Sequence, residues 1–240
     1  MADLDLGDIA ATRGGSRNLR GYLVKPSGAA PWPGVVMIHE AFGLDAVMRR
    51  QAERLAAAGY LTFAVDLFSA GGAVRCLVST MRALTVGRGR AFADIAAARE
   101  WLVQSPECTD SIGVIGFCMG GGLALLTAGS GFEVASVNYG SLPRDLDAAV
   151  AAACPIVASY GGRDRTLRNA ASKLEEALTK AGIVHDVKEY STAGHAFLND
   201  AETGPRVLRP LLRAAGMGPE PAAAADAWHR IEDFFARHLR

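Results

Sequence analysis

Six short runs rich in β-branched and aromatic residues recur along the chain: GVVMIH (34–39), YLTFAVDLF (60–68), SIGVIGF (111–117), VASVNYG (134–140), CPIVASYGG (154–162) and VHDVKEY (184–190). Strands covered on both faces read as unbroken apolar runs, and helical patterns between them call for crossover connections. The alternation therefore predicts an α/β fold, a mostly parallel sheet flanked by helices on both faces. RGYLVKP (20–26), polar at alternate positions, is expected to add an antiparallel strand at the edge. Helices are expected over 46–58 and 169–181, where Gly59 and Gly182 provide left-handed C-caps, and over 88–102 and 222–239. The last of these offers Trp228, Ile231, Phe234 and Phe235 to one face.

A chain of 240 residues without repeats, linkers or low-complexity tracts reads as a single domain over 1–240. Two segments break the pattern. SAGGAVRCLVSTMRALTVGRG (69–89) and ETGPRVLRPLLRAAGMGPEP (202–221) mix glycine, arginine and short apolar runs. Both are expected to be excursions over the carboxyl edge of the sheet, where open α/β folds bind ligands.

Lys plus Arg and Asp plus Glu both number 25, so no charge imbalance points to nucleic acid or to a membrane surface. A small-molecule partner is expected. Cysteines 76, 108, 118 and 154 lack CxxC spacing and nearby histidines, which argues against a disulfide framework or a metal site and for reduced thiols in the cytoplasm. MADLDLGDIAATRGG has no apolar core of the secretory type. The uncharged stretch IGVIGFCMGGGLALLTAG (112–129) is barely long enough to cross a bilayer. Its β-branched first half and its Leu- and Ala-rich second half fit a strand turning sharply into a helix.

At that turn, Gly116-Phe117-Cys118-Met119-Gly120 has the G-x-S-x-G arrangement with cysteine in place of serine. Glycines permit the tight bend, the nucleophile stands at its apex, and the helix N-terminus favours a thiolate and a developing oxyanion. Against this stands the ordinary fate of cysteine, which is burial as a small apolar residue. A cysteine nucleophile also needs a base and a carboxylate to orient it, in the chain order nucleophile, acid, histidine. Asp164 in GGRDRTL follows one strand and His195 in TAGHAF follows the next. Taken singly, Asp164 is a turn or helix-cap residue and His195 a loop histidine. Their joint placement at the edge that carries Cys118 is what the bland readings explain poorly.

After the strand GVVMIH stand Glu40 and Ala41. The Ala41 N–H pairs with that of Met119 as the expected oxyanion hole. Glu40 by itself reads as a strand-end carboxylate facing water or as half of a surface ion pair.

In the ordered set HEAFGL, AVDLF, GFCMGG, GGRD and AGHAF the sequence resembles the dienelactone hydrolase family of α/β-hydrolases, from about residue 20 to the C-terminal helix. The resemblance implies the α/β-hydrolase fold, a Cys118–Asp164–His195 triad, a Glu40 that modulates the thiol, hydrolysis of an enol-lactone or related ester, and no metal or organic cofactor. One departure bears on substrate. Four residues after the histidine, where dienelactone-specific members are expected to carry arginine, stands Asn199. Arg75, Arg82, Arg88 and Arg206 in the two excursions are the candidates to replace it; Arg75, Arg82 and Asn199 are carried forward as substrate-binding residues. Two other chemistries fit the same scaffold: a non-hydrolytic thiol protein that senses oxidants or holds a ligand covalently, and an acyl transferase.

Overall fold

A computed structural model describes residues 1–239. In chain order it contains β1 (Ala2–Asp5), α1 (Gly7–Thr12), β2 (Arg20–Val24), β3 (Trp32–Ile38), α2 (Ala46–Ala57), β4 (Leu61–Asp66), α3 (Ala73–Val86) and α4 (Arg90–Gln104). There follow β5 (Cys108–Phe117), α5 (Met119–Thr127), β6 (Val134–Asn138), α6 (Leu146–Val150), β7 (Ile156–Gly161), α7 (Ala170–Ala181), β8 (His185–Tyr190), α8 (Arg209–Ala214) and α9 (Pro221–Leu239). The strands form one sheet in the order β1-β2-β4-β3-β5-β6-β7-β8. β3 to β8 run parallel, and β2 is antiparallel to both of its neighbours.

Alternation along the strands sorts the core into two layers. Val36 and Ile38 of β3 face the cluster that includes α1, α3, α4, α5, α6 and α7, whereas Val35 and Met37 face α2 and α9. On α9 the expected face is the buried one: Trp228, Ile231, Phe234 and Phe235 are all enclosed. Burying each such side chain contributes about 1.5–3 kcal/mol before the entropic cost of ordering it.

One expectation changes here. The strand at 20–24 is antiparallel, but it is not the edge, because β1 pairs along its outer side. ADLD, four residues with two acids, is too short and too charged to show a strand pattern, and charge on an outer strand discourages further pairing.

The uncharged stretch at 112–129 divides as expected into β5 and the nine-residue α5. α5 is apolar on every side because it is buried nearly throughout, between the sheet and its neighbouring helices. Among the described residues no helix is long and apolar enough to cross a membrane. The segment 69–89 is largely a 14-residue helix, α3, and 202–221 contains the short α8.

From β3 the chain passes through α2 to β4 on one side, then through α3 and α4 to β5 on the other. The winding direction thus reverses between β3 and β5, and a crevice opens at the carboxyl ends of these two strands.

Candidate active site

Cys118 occupies that crevice with φ 55° and ψ −115°, a left-handed conformation for a residue bearing a side chain. Such backbone costs about 1–3 kcal/mol and persists only where its surroundings enforce it. Here its N–H donates to the Asn138 carbonyl at 3.0 Å and its carbonyl accepts from the Gly122 N–H at 3.2 Å. The flanking glycines are demanded by contact. A Cβ on Gly116 would lie 1.9 Å from the Gly120 carbonyl oxygen, and one on Gly120 would lie 2.3 Å from that of Ile38. The first helical N–H, that of Met119, has no acceptor inside the helix.

Asp164 stands three residues beyond β7. Its Oδ1 accepts from the Thr166 N–H at 2.9 Å and from the Thr166 hydroxyl at 2.6 Å, while its Oδ2 lies 2.5 Å from His195 Nδ1. The turn-forming role of Asp164 thus accounts for one oxygen only, and the helix that follows has Asn169, not Asp164, at its N-cap position. A carboxylate only accepts, so Nδ1 carries the proton of this bond and Nε2 is left free of it, with Cys118 near enough to the ring to act on its charge. Burial, the largest influence on His195, opposes its charge. Hydrogen bonds and charge from Asp164 and Cys118 outweigh it and push the imidazole up to about 10. Burial likewise acts to raise Asp164, yet His195 and Thr166 bring its carboxyl below the usual range.

The His195 loop is tied at several points. The His195 N–H donates to Gly216 and its carbonyl accepts from the Gly218 N–H, forming a parallel bridge with Met217. Farther along, the Leu198 carbonyl accepts from Gln51 Nε2 at 3.0 Å and from Trp228 Nε1 at 3.4 Å.

Glu40 is 3% exposed, which overturns the water-facing and surface-pair readings. Its Oε1 accepts from Tyr139 OH at 3.2 Å and Asn199 Nδ2 at 3.0 Å, and its Oε2 from Thr203 Oγ1 at 3.3 Å. All three donors are neutral. Burial raises the carboxyl above its ordinary range, and the Asn199 bond, the nearby His195 and the Tyr139 bond only partly restore it. Tyr139, fully buried with φ 39°, sets its ring 5.1 Å from that of His195, so Glu40 and the histidine flank one phenol. His39, also fully buried, fixes the turn that carries Glu40: Nε2 accepts from the Leu67 N–H, so Nδ1 donates to the Glu40 carbonyl.

Cys118, His195, Asp164, Met119 and Ala41 all line one cavity of about 410 Å³. Met81 and Leu84 of α3 form one wall, Arg165 to Leu167 another, and Ala215 and Met217 a third. No other cysteine lines it. Among the described residues no cluster of three His, Cys, Asp or Glu side chains is placed to hold a metal ion.

The sequence profile of the dienelactone hydrolase family matches residues 19–239. The chain belongs to that family. It is 27% identical over 232 residues to the carboxymethylenebutenolidase of Rhodococcus opacus, covering 91% of this chain and 86% of that protein. Among solved structures it is similar to a dienelactone hydrolase-like promiscuous phosphotriesterase from metagenomic libraries, with a TM-score of 0.77, 22% identity and coverage of 92% and 93% of the two chains. A thermophilic esterase of Thermogutta terrifontis, at TM-score 0.65 and 18% identity, covers 92% of this chain and 89% of its own and shares the fold. As a member of the dienelactone hydrolase family, the protein is a hydrolase of the carboxylic-ester and lactone class.

Within this dienelactone hydrolase family member, the expected substrate-binding arginines are displaced. Arg75 and Arg82 lie on the solvent face of α3, because the helix turns Cys76, Thr80, Ala83 and Leu84 inward and Met81 and Leu84 toward the cavity. Arg88 and Arg206 are also exposed and outside the cavity wall. Asn199 is buried against Glu40 and does not line the cavity. The arginine that does line it is Arg165, next to Asp164, which sequence reading passed over as part of a turn. Tyr139 and Thr203 were missed as well.

Proposed function

We propose that the protein hydrolyses its ester or lactone through a thioester on Cys118. The observation that carries this reading is a single imidazole, His195, bonded to Asp164 and lining the same cavity as Cys118. The Cys118 thiolate attacks the substrate carbonyl carbon, and the oxygen that gains charge is received by the Met119 and Ala41 N–H groups. Collapse of the tetrahedral intermediate breaks the carbon–oxygen ester bond, and His195 gives its Nε2 proton to the departing oxygen. In a lactone that oxygen stays tethered to the acyl chain. His195 then takes a proton from water, the resulting hydroxide attacks the thioester, and the thiolate leaves as the acid product forms. Asp164 holds the ring tautomer and offsets its charge throughout. Glu40, behind Tyr139, modulates the charge of the His195–Cys118 pair.

The name of the Rhodococcus relative describes action on a carboxymethylenebutenolide, an unsaturated lactone. An enolate leaves readily, so lactones of this kind suit a thiolate nucleophile. A cytoplasmic setting, where thiols stay reduced, would keep it active.

The test is to assay p-nitrophenyl acetate and dienelactone with wild type and Cys118→Ala, and to look by mass spectrometry for an acyl group on the Cys118 peptide after rapid acid quench. Loss of both hydrolyses in Cys118→Ala, with an acylated Cys118 peptide in wild type, is expected. Unchanged hydrolysis by the variant overturns the mechanism.

A further inference from the structure

The catalytic cavity shares a wall with a neighbouring depression. A second, larger depression of about 810 Å³ lies between the first turns of α3, the 41–50 region and the 201–209 segment, and Ala41 lines both spaces. Along α3 the two are joined by one stripe. Val74 and Leu77 face the groove and Met81 and Leu84 face the cavity, at spacings of three, four and three residues that keep them on one side of a helix. At 1.5 Å per residue the stripe is about 15 Å long. Phe42, and Leu208 on the opposite bank, complete the apolar lining.

Several of these residues stand open to solvent. Val74 is 81% exposed, Leu208 44% and Met81 43%. Meanwhile the charges around the groove are already engaged. Arg50 pairs with Asp200, Glu202 with Arg213, Asp45 caps α2, and Arg209 donates to the Gly204 carbonyl. An exposed apolar groove with its charged groups engaged fits an uncharged hydrocarbon chain, and the Ala41 wall it shares with the cavity points to a chain carried by the substrate itself.

We infer that this groove is a binding subsite for the unbranched apolar arm of a carboxylic ester whose carbonyl sits at Cys118. The inference rests on the hydrolytic reading above and names the kind of substrate that site takes. The arm is either the acyl chain or the alcohol chain, which share the same chemistry.

Two homologous series distinguish these sources: p-nitrophenyl esters from acetate to octanoate, and alkyl acetates from ethyl to octyl, each compared by kcat/KM in wild type, Val74→Glu and Leu208→Glu. Both substitutions sit at exposed positions, and circular dichroism confirms that each variant folds. In one series, wild-type kcat/KM is expected to rise roughly two- to fourfold per methylene, the range for partial to full burial of a CH₂ group. The octanoate-to-acetate or octyl-to-ethyl ratio should then drop at least tenfold in either variant. Flat profiles in both series, or ratios unmoved by the substitutions, overturn the groove while leaving Cys118 chemistry standing. Acetate turnover indifferent to Cys118→Ala sinks both. A wild-type dimer by light scattering that Leu208→Glu dissociates assigns the groove to a second copy of the chain and also overturns the proposal.

Discussion

The elbow and the rim of this molecule are held in place by different means. Around Cys118 the constraint is main chain against main chain: strand ends, a forced left-handed residue, and glycines pressed against the carbonyls of Gly120 and Ile38. Around the cavity mouth the packing is looser, and α3 and the 201–211 segment leave Val74, Val78, Met81, Val207, Leu208 and Leu211 uncovered. A site built in the first way tolerates almost no change at its reacting atoms. One built in the second can exchange residues without disturbing the sheet. The contrast places chemistry at the elbow and substrate choice at the rim.

The largest effect expected at the elbow is on rate. His195→Ala should lower kcat by roughly 10²–10⁴-fold, the usual share of a general acid–base, with little loss of folded protein by circular dichroism. Comparable rates with and without the imidazole would remove the elbow's special status. Next comes stability. Gly120→Ala, whose Cβ meets the Ile38 carbonyl at 2.3 Å, should cost about 1–3 kcal/mol or more in urea unfolding, whereas Val74→Ala on the rim should fall within about 0.5 kcal/mol.

Glu40 gives a smaller, pH-dependent effect. Burial raises its carboxyl in the folded state above the unfolded value, so its contribution to stability is present at low pH and is lost as pH rises through the folded pKa. The Tm of Glu40→Gln should therefore gain on that of wild type as pH rises above the ordinary carboxylate range. In the same variant the alkaline limb of Cys118 alkylation by iodoacetamide should move to lower pH, since a negative charge near His195 has been removed. A pH-independent Tm difference would mean that Glu40 stays in one protonation state across the range. The smallest change belongs to Arg82→Ala. This side chain is exposed and outside the cavity, so kcat/KM for acetate and for a carboxylate-bearing lactone should both stay within about twofold.

The same contrast governs what could be read from the sequence. Val35 to Ile38 and Ile112 to Phe117 announce themselves as strands because both faces are buried, and Cys118 stands out because its neighbours are forced to be glycine. Asp164 and His195 follow from the order of strand ends. By contrast, β1 escapes notice because two of its four residues are acids. α3 hides for a different reason: its outward face is itself apolar, with Val78 and Val86 exposed, so the amphipathic signal blurs and the directions of Arg75 and Arg82 cannot be told. The bond from Tyr139 to Glu40 joins residues 99 apart in sequence, and nothing local to NYG marks it. Contacts of that range are products of the fold, unlike periodicities and turn residues.

The bridge between His195 and Met217 has a practical consequence. Two main-chain hydrogen bonds yoke the base to the bank of the cavity formed by Ala215 and Met217, so any redesign that shifts this bank drags the imidazole along. The helix across the opening carries no such tether to the histidine. Libraries aimed at new substrates should thus vary α3 first, and leave the strap behind the imidazole as it is.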